Sequence, residues 1–197
     1  MLRFLIVLCF SLMLNACSDH QAERAHFNGA DVSNVGYAKD FDLTDHLGES
    51  RRLADYKGKL VLVFFGYTHC PDVCPTTLTD MTKVMKLLGP QREKVQVVFI
   101  TLDPERDTRV VLAKFVPSFD AAFVGLYGTS AQIDKVAKDF KVFHERKNTA
   151  GAESYSIDHS AGTYVYDQAG KLRLLFKYGQ KPHEIANDLK MLMQYHF

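Results

Sequence analysis

Residues 60–75 read LVLVFFGYTHCPDVCP, and this stretch decides the fold. Its first six residues are apolar without a break, as expected for a strand that is buried on both faces of a sheet. In the segment that follows, residues 76–88, the apolar positions recur at helical spacing. A buried strand that turns directly into a helix is typical of α/β proteins, in which functional residues gather at the carboxyl ends of the strands.

The segments around this unit complete an α/β pattern. Apolar and turn residues predict, in chain order, an N-terminal hairpin within residues 41–59, a buried strand at 95–102, a helix at 108–116 capped by Asp107 or Thr108, a strand at 123–127, a helix at 130–140, a hairpin within 163–178 and a helix at 182–195. Residues 141–161 are polar and predict an irregular connection. This order is that of a thioredoxin-like fold, so we expect three layers around a central mixed sheet, with an N-terminal hairpin extension.

The composition is that of an ordinary globular protein. Of the 197 residues, 47% are hydrophobic and 24% are charged, and the length fits one domain with a short extra segment. The formal net charge is +1, and the sequence contains no basic stripe. We therefore expect no nucleic acid among the partners of this protein.

The N-terminus predicts export and a lipid anchor. Arg3 precedes an apolar run at residues 4–14, which is shorter than the roughly 20 residues that cross a bilayer and fits a secretory leader. The sequence LNAC at residues 14–17 resembles a bacterial lipobox, which implies a signal peptide at residues 1–16 and lipidation of Cys17. The protein is then a membrane-anchored lipoprotein of the periplasmic or extracytoplasmic face. Cleavage by the general peptidase after Ala16, with no lipid, is the alternative.

The remaining chain divides into a tether and a domain. Residues 17–36 hold the lipidated cysteine and a polar stretch without hydrophobic period, which predicts a flexible tether, and residues 37–197 form the predicted thioredoxin-like domain. Cys9 leaves with the leader, so only Cys70 and Cys74 remain in the mature domain. Their compartment permits disulfides.

Three interpretations of Cys70 and Cys74 compete. A structural disulfide across so short a loop would contribute only about 2 kcal/mol. A dithiol oxidoreductase of this fold would use Cys-x-x-Cys and a cis-proline before the facing strand, whereas this loop has three intervening residues and no proline lies between Pro117 and Pro182. A metal site fits best, because the helix N-terminus favours thiolates and two soft thiolates select Cu(I), or zinc with further ligands. Peroxiredoxin-like activity needs an activated cysteine beside an arginine, for which the sequence offers no clear arrangement.

A metal site needs a third ligand, and His159 is the candidate among eight histidines. It lies just ahead of the strand predicted from residue 163, in the segment that faces the cysteine turn in a thioredoxin-like fold. Asp158 or Ser160 could orient its ring. His144 and His69 stay open as alternatives.

Three motifs of the chain resemble those of the SCO/SenC copper chaperones. They are GYTHCPDVCP at residues 66–75, LDPERDT at 102–108, and DHS at 158–160 followed by YVYD at 164–167. The motifs occur in the same order and at similar spacing, and the resemblance extends over the chain from residue 41 onward.

The resemblance implies a thioredoxin fold with copper bound by Cys70, Cys74 and His159. We expect a copper-binding domain that holds one ion, as Cu(I) on the two reduced cysteines, with His159 adjusting the affinity and permitting Cu(II). Asp72 and Asp103 match acidic positions of the family, and a turn or capping role for them is as good an interpretation as a role in tuning the site.

The resemblance also implies a function in building the CuA centre of cytochrome c oxidase, by metal transfer, by reduction of the acceptor's cysteines, or by both. The expected partners are oxidase subunit II or a related oxidase, and other copper carriers or thiol reductases. We expect a metal carrier in the first place, with a periplasmic thiol–disulfide reductase, in which Cys70 and Cys74 are a redox-active pair, as the alternative.

Overall fold

The computed structural model describes residues 26–148 and 155–194. The predicted leader, Cys17 and the first part of the predicted tether lie outside the described residues, so these remain predictions. Within the described ranges, no helix has both the length and the apolar character that a membrane span requires.

A sheet of eight strands forms the centre of the fold. Its strands are β1 (Ala30–Asp31), β2 (Asp42–Asp45), β3 (Ser50–Arg52), β4 (Leu60–Gly66), β5 (Val95–Thr101), β6 (Val124–Tyr127), β9 (Thr163–Tyr166) and β10 (Leu172–Phe176), and a separate hairpin consists of β7 (His144–Asn148) and β8 (Tyr155–His159). The helices are α1 (Val73–Leu88), α2 (Arg109–Phe115), α3 (Ser130–Asp139) and α4 (Pro182–Gln194). The strand order in the large sheet is β1-β10-β9-β4-β5-β6-β2-β3.

Strand β4 occupies the middle of the sheet. It pairs in parallel with β5 and antiparallel with β9, and every residue of β4 and β5 is buried. The continuous apolar runs of the sequence follow from this position, since both faces of these strands are covered. The mixed thioredoxin-like α/β fold predicted from the sequence is confirmed.

Helices cover both faces of the sheet. Successive side chains of a strand point to opposite faces. On one face, Gly66 lies against Cys74 at the start of α1. On the other, the ring of Phe65 packs against Phe140, the residue that follows α3, with 5.1 Å between the ring centroids. The cysteine loop therefore joins the central strand to a helix on one face.

The N-terminal hairpin is present, and it lies at one edge of the sheet. Strand β2 pairs antiparallel with β3 and with β6, so the hairpin extends the sheet beyond the parallel strands.

The prediction of an irregular connection at residues 141–161 is wrong. Strands β7 and β8 pair antiparallel in this segment, with His144 opposite His159. Among the hairpin's side chains only Ile157 is buried, so the segment lacks the alternation of apolar and polar residues that predicts strands. The hairpin is held by the backbone hydrogen bonds between β7 and β8 and by a contact of Arg106 with Tyr155, which is described below.

The prediction that all of residues 18–36 form a free tether is also wrong for the described part. Strand β1 pairs with β10, and Asp188 of α4 accepts hydrogen bonds from the main chain of Asn28 and Gly29. We call residues 26–32 the N-terminal strap. Its partner is 160 residues away in the sequence and no local pattern indicates the contact.

Candidate metal centre

Cys74 lies at the point where the central strand gives way to the helix. Strand β4 ends at Gly66, and Cys74 is the second residue of α1, which begins three residues before the helical pattern of the sequence. The Cys74 side chain is fully buried. A Cβ atom at position 66 would lie 2.7 Å from Cys74 Sγ, so only glycine lets the sulfur approach the strand end this closely.

Cys70 lies on the solvent side of the same turn. Its side chain is half-buried, and Cys74 N donates a hydrogen bond to Cys70 Sγ over 3.5 Å. Both thiols are free. The x3 spacing thus places two sulfur atoms on one turn, with one buried and one within reach of solvent.

His159 brings its ring to the buried sulfur from the end of β8. The distance from His159 Nε2 to Cys74 Sγ is 3.6 Å. The other ring nitrogen, Nδ1, lies 2.9 Å from the main-chain oxygen of Ser160. Because a carbonyl oxygen only accepts, Nδ1 carries the proton, and Nε2 of the neutral ring directs its lone pair at the sulfur. Ser160 therefore orients the ring, as one of the two predicted partners, and does so through its backbone.

Aromatic rings surround the imidazole. The rings of Phe64 and Tyr67 contact it edge-on, with centroid distances of 6.5 and 6.0 Å. Burial lowers the pKa of His159, and this effect outweighs the hydrogen bond to Ser160. The site therefore keeps the neutral form of the ring, which is the form that binds metals.

The two sulfur atoms and the ring nitrogen form one cluster. Among the described residues, Cys70, Cys74 and His159 are the group whose ligand atoms all lie within 4.8 Å of one another. Two atoms that bind the same ion at about 2.0–2.3 Å lie at most about 4.6 Å apart. Only a small adjustment is therefore needed for all three to bind one ion, and two thiolates with an imidazole suit copper or zinc.

The other histidines proposed as alternatives lie outside this cluster. His69 Nδ1 lies 3.1 Å from Thr68 Oγ1, and its side chain is 56% exposed. His144 is opposite His159 in the hairpin, but its Nε2 atom contacts Asp134 at 3.1 Å.

The two acidic candidates have structural contacts. Asp72 is exposed at the start of α1 and accepts a hydrogen bond from Thr76 Oγ1 over 3.2 Å. Asp103 is buried, and its carboxylate accepts hydrogen bonds from Arg106 Nε and from the Tyr155 hydroxyl. Neither carboxylate belongs to the cluster of sulfur and nitrogen atoms.

The expectation that the helix N-terminus favours a thiolate is wrong for Cys74 in the metal-free protein. Burial raises the pKa of the Cys74 thiol, and this effect outweighs the hydrogen bond that lowers it. Cys74 is therefore a thiol until a metal ion replaces its proton.

Sequence reasoning missed the role of Asp107, which holds the cysteine loop. This fully buried carboxylate accepts hydrogen bonds from the main-chain N–H of Thr68 over 2.9 Å, from the Thr68 hydroxyl, and from Thr101 Oγ1 over 2.6 Å. Burial raises the pKa of Asp107. The sequence marked Asp107 only as a possible helix cap, and Thr108 has that position instead.

Arg106 attaches the histidine-bearing strand to the rest of the site. Its Nη1 atom donates to the main-chain oxygen of Tyr155 over 3.0 Å, and its guanidinium lies 3.5 Å from the centroid of the Tyr155 ring. The Tyr155 hydroxyl in turn donates to Asp103 over 2.7 Å. The start of β8 is thereby fixed to the segment after β5, and the end of β8 carries His159.

The lowered pKa of His159 predicts a pH dependence of stability. The unfolded chain binds a proton near pH 6.5 and the folded chain does so only at lower pH, so the free energy of unfolding should fall as pH drops below 6.5. One proton contributes a slope of at most about 1.4 kcal/mol per pH unit. Urea unfolding of the reduced, metal-free protein between pH 5 and 7.5 measures this slope. His159→Gln should flatten it, and equal slopes in both proteins would contradict the assignment.

Comparison with known proteins, by a family model and by curated sequences, finds SCO proteins in both cases. The SCO1/SenC family model matches residues 31–194. A SCO2-like protein of Rickettsia felis is 41% identical over 158 residues, which are 80% of this chain and 77% of that protein.

Solved structures of similar fold include copper-bound and apo proteins. ScoI of Bradyrhizobium japonicum with copper bound is 38% identical, with a TM-score of 0.71, and the match covers 83% of this chain and 98% of that one. Apo Sco1 from Thermus thermophilus is 35% identical, with a TM-score of 0.76 and coverage of 86% and 99%.

Proposed function

The chain belongs to the SCO1/SenC family, and we propose that it is a copper chaperone whose cargo is one copper ion held by Cys70, Cys74 and His159. The observation that carries the proposal is the convergence of two sulfur atoms and one imidazole nitrogen within 4.8 Å. Soft thiolates favour Cu(I), and an imidazole ligand also accommodates Cu(II). The copper bound to ScoI of Bradyrhizobium japonicum supports copper rather than zinc.

Loading and release depend on the unequal exposure of the two cysteines. Cys74 approaches the ion from the buried side, whereas Cys70 and His159 are both partly exposed. Binding of Cu(I) displaces the Cys74 proton, so that one proton leaves for each thiol that becomes a ligand. Of the two sulfur ligands, an acceptor thiolate can replace Cys70 first, because Cys70 is partly exposed and Cys74 is fully buried.

The acceptor that we propose is the CuA centre of cytochrome c oxidase, in subunit II or its counterpart in a related oxidase. Other copper carriers would load the site and thiol reductases would keep it reduced. A lipid on Cys17 would hold the domain at the periplasmic side of a membrane, near such an acceptor. Family membership and the lipobox support this part of the proposal.

A thiol–disulfide reductase is the second candidate function. Cys70 and Cys74 are both free and their sulfur atoms lie within 4.8 Å of each other. Two thiols can therefore pass two electrons and two protons to a disulfide of the acceptor and form a disulfide themselves. Reduction of insulin by metal-free protein, at the rate of a dedicated reductase, would favour this function.

Titration of the reduced protein with Cu(I), without oxygen and against a competing chelator, tests the copper proposal. We expect one tightly bound ion per chain, and none after Cys70 and Cys74 are oxidised to a disulfide, because the disulfide removes both sulfur ligands. Failure of the reduced protein to compete with the chelator would refute the proposal.

A further inference from the structure

A buried carboxylate fixes the N-terminal strap to the domain. Asp188 of α4 is fully buried. Its Oδ1 atom accepts hydrogen bonds from both nitrogen groups of Asn28, at 3.1 and 2.7 Å, and its Oδ2 atom accepts one from Gly29 N at 2.8 Å. The strap is close-packed as well, since a Cβ atom on Gly29 would lie 2.7 Å from the Phe176 ring. A buried charge of this kind is stable only while its partners stay in place.

Strand register shows at which end of the domain the strap begins. Ala30 of β1 is opposite Leu175 of β10, next to Phe176. Phe176 is opposite Thr163 of β9, which is opposite Phe64 near the end of β4. The strap therefore enters the sheet at the end from which the cysteine loop leaves, three strand spacings or about 14 Å to the side of β4.

The chain before the strap is short. Eight residues lie between Cys17 and His26, and that segment can span at most about 30 Å. A domain of this size has a radius of gyration of about 15 Å, hence a diameter of about 40 Å. The tether that remains is thus shorter than the diameter of the domain, because residues 26–32 are fixed to the domain as the strap. An anchor at Cys17 would therefore restrict the rotation of the domain.

The surface beside the strap entry suits a lipid headgroup layer. The loop after β10 carries Lys177, Tyr178 and Lys181, and all three are exposed. Tyrosine favours the membrane–water interface, and lysines near a membrane are attracted to anionic lipids. Residues of this loop share a cleft with Ala161, two positions from His159, and with Thr77 of α1.

We propose that the N-terminal strap makes the metal-site end of the domain face the membrane, with Lys177, Tyr178 and Lys181 at the lipid headgroups. The inference rests on the lipid anchor of the proposed function, and it adds the orientation of the site. The strap thus fixes the orientation of the domain relative to the membrane. A membrane-embedded acceptor could then contact the copper ligands without rotation of the domain.

The test uses full-length lipidated protein in vesicles of phosphatidylcholine and phosphatidylglycerol whose headgroups carry an energy acceptor. A fluorescent amino acid is introduced at exposed His183, at the metal-site end, or at exposed Ala169, in the turn between β9 and β10 at the opposite end. We expect energy transfer several-fold more efficient from position 183 than from position 169. Equal efficiencies, a higher efficiency from position 169, or failure of the protein to sediment with the vesicles would overturn the proposal.

Two kinds of variant test whether the strap and its short tether cause the orientation. Asp188→Asn replaces the carboxylate by an amide that cannot accept all three hydrogen bonds, and the difference between the two probes should shrink. Asp139→Asn, on the exposed side of α3, is the matched control and should leave the difference unchanged. If Asp188→Asn does not fold, a flexible insertion before His26 gives the same test, because it lengthens the tether and leaves the strap intact. An unchanged difference with the longer tether would also contradict the proposal.

Cu(I) titration of the same proteins in detergent distinguishes this inference from the proposed function. The insertion should bind copper as the parent chain does, since no ligand is altered. Loss of orientation with retained copper binding supports the strap proposal. Weak copper binding by the parent chain would instead refute the chaperone function.

Discussion

Replacing Cys74 with serine is expected to abolish tight Cu(I) binding. The hydroxyl of serine is a hard, protonated group, whereas Cu(I) prefers soft thiolates. Changes to groups that merely support a metal ligand commonly reduce affinity 10–100-fold, so loss of a ligand itself should reduce it by more than about 100-fold. Competition with a Cu(I) chelator, without oxygen, measures the change. Binding that stays stoichiometric would refute the site.

Two further variants separate ligand loss from general damage. Cys70→Ser should have a comparable effect on affinity with little effect on folding, because Cys70 is only half-buried. His69→Gln is the matched control, since His69 adjoins Cys70 but lies outside the cluster. The Cu(I) affinity of His69→Gln should equal that of the parent protein. A large loss in His69→Gln would show that the ligand set has been assigned wrongly.

Asp107→Ala should be the most destabilising change near the site. It removes the acceptor of three hydrogen bonds and leaves the hydroxyl proton of buried Thr101 and the Thr68 main-chain N–H without an acceptor. Each buried polar group left unsatisfied costs about 1–3 kcal/mol, so the free energy of unfolding should fall by about 3 kcal/mol. Urea unfolding of the metal-free protein measures the loss.

The same variant should also weaken copper binding, because Thr68 fixes the loop that leads to Cys70. Asp72→Ala is the matched control in this loop. Asp72 is exposed and its one side-chain partner is the Thr76 hydroxyl, so its loss should cost about 1 kcal/mol or less. Equal destabilisation by both variants would contradict the role assigned to Asp107.

The local part of the site was predictable from the sequence. Two cysteines separated by three residues, after an apolar strand and before a helix, determine where both sulfur atoms lie. Placing His159 required a fold hypothesis, because 85 residues separate it from Cys74. The structure brings the predicted group together and confirms the geometry on which the choice of this histidine depended.

The features that were missed depend on long-range contacts between polar groups. The β7–β8 hairpin has one buried side chain, and the strap contains a strand of only two residues. Apolar periodicity reports burial, so it cannot detect segments that are held by backbone pairing or by one distant carboxylate. Asp107 and Asp188 are examples, since the structural role of each depends on hydrogen bonds to residues far away in the sequence.

The separation of Cys74 and His159 in the sequence has a consequence for the lifetime of the folded protein. An ion shared by these residues cross-links the chain across a loop of 85 residues. A permanent cross-link over such a loop would destabilise the unfolded chain by about 4.6 kcal/mol on the entropic model. Bound copper would therefore protect the hairpin from fraying and from proteolysis, and handing over the cargo would leave the empty carrier easier to degrade.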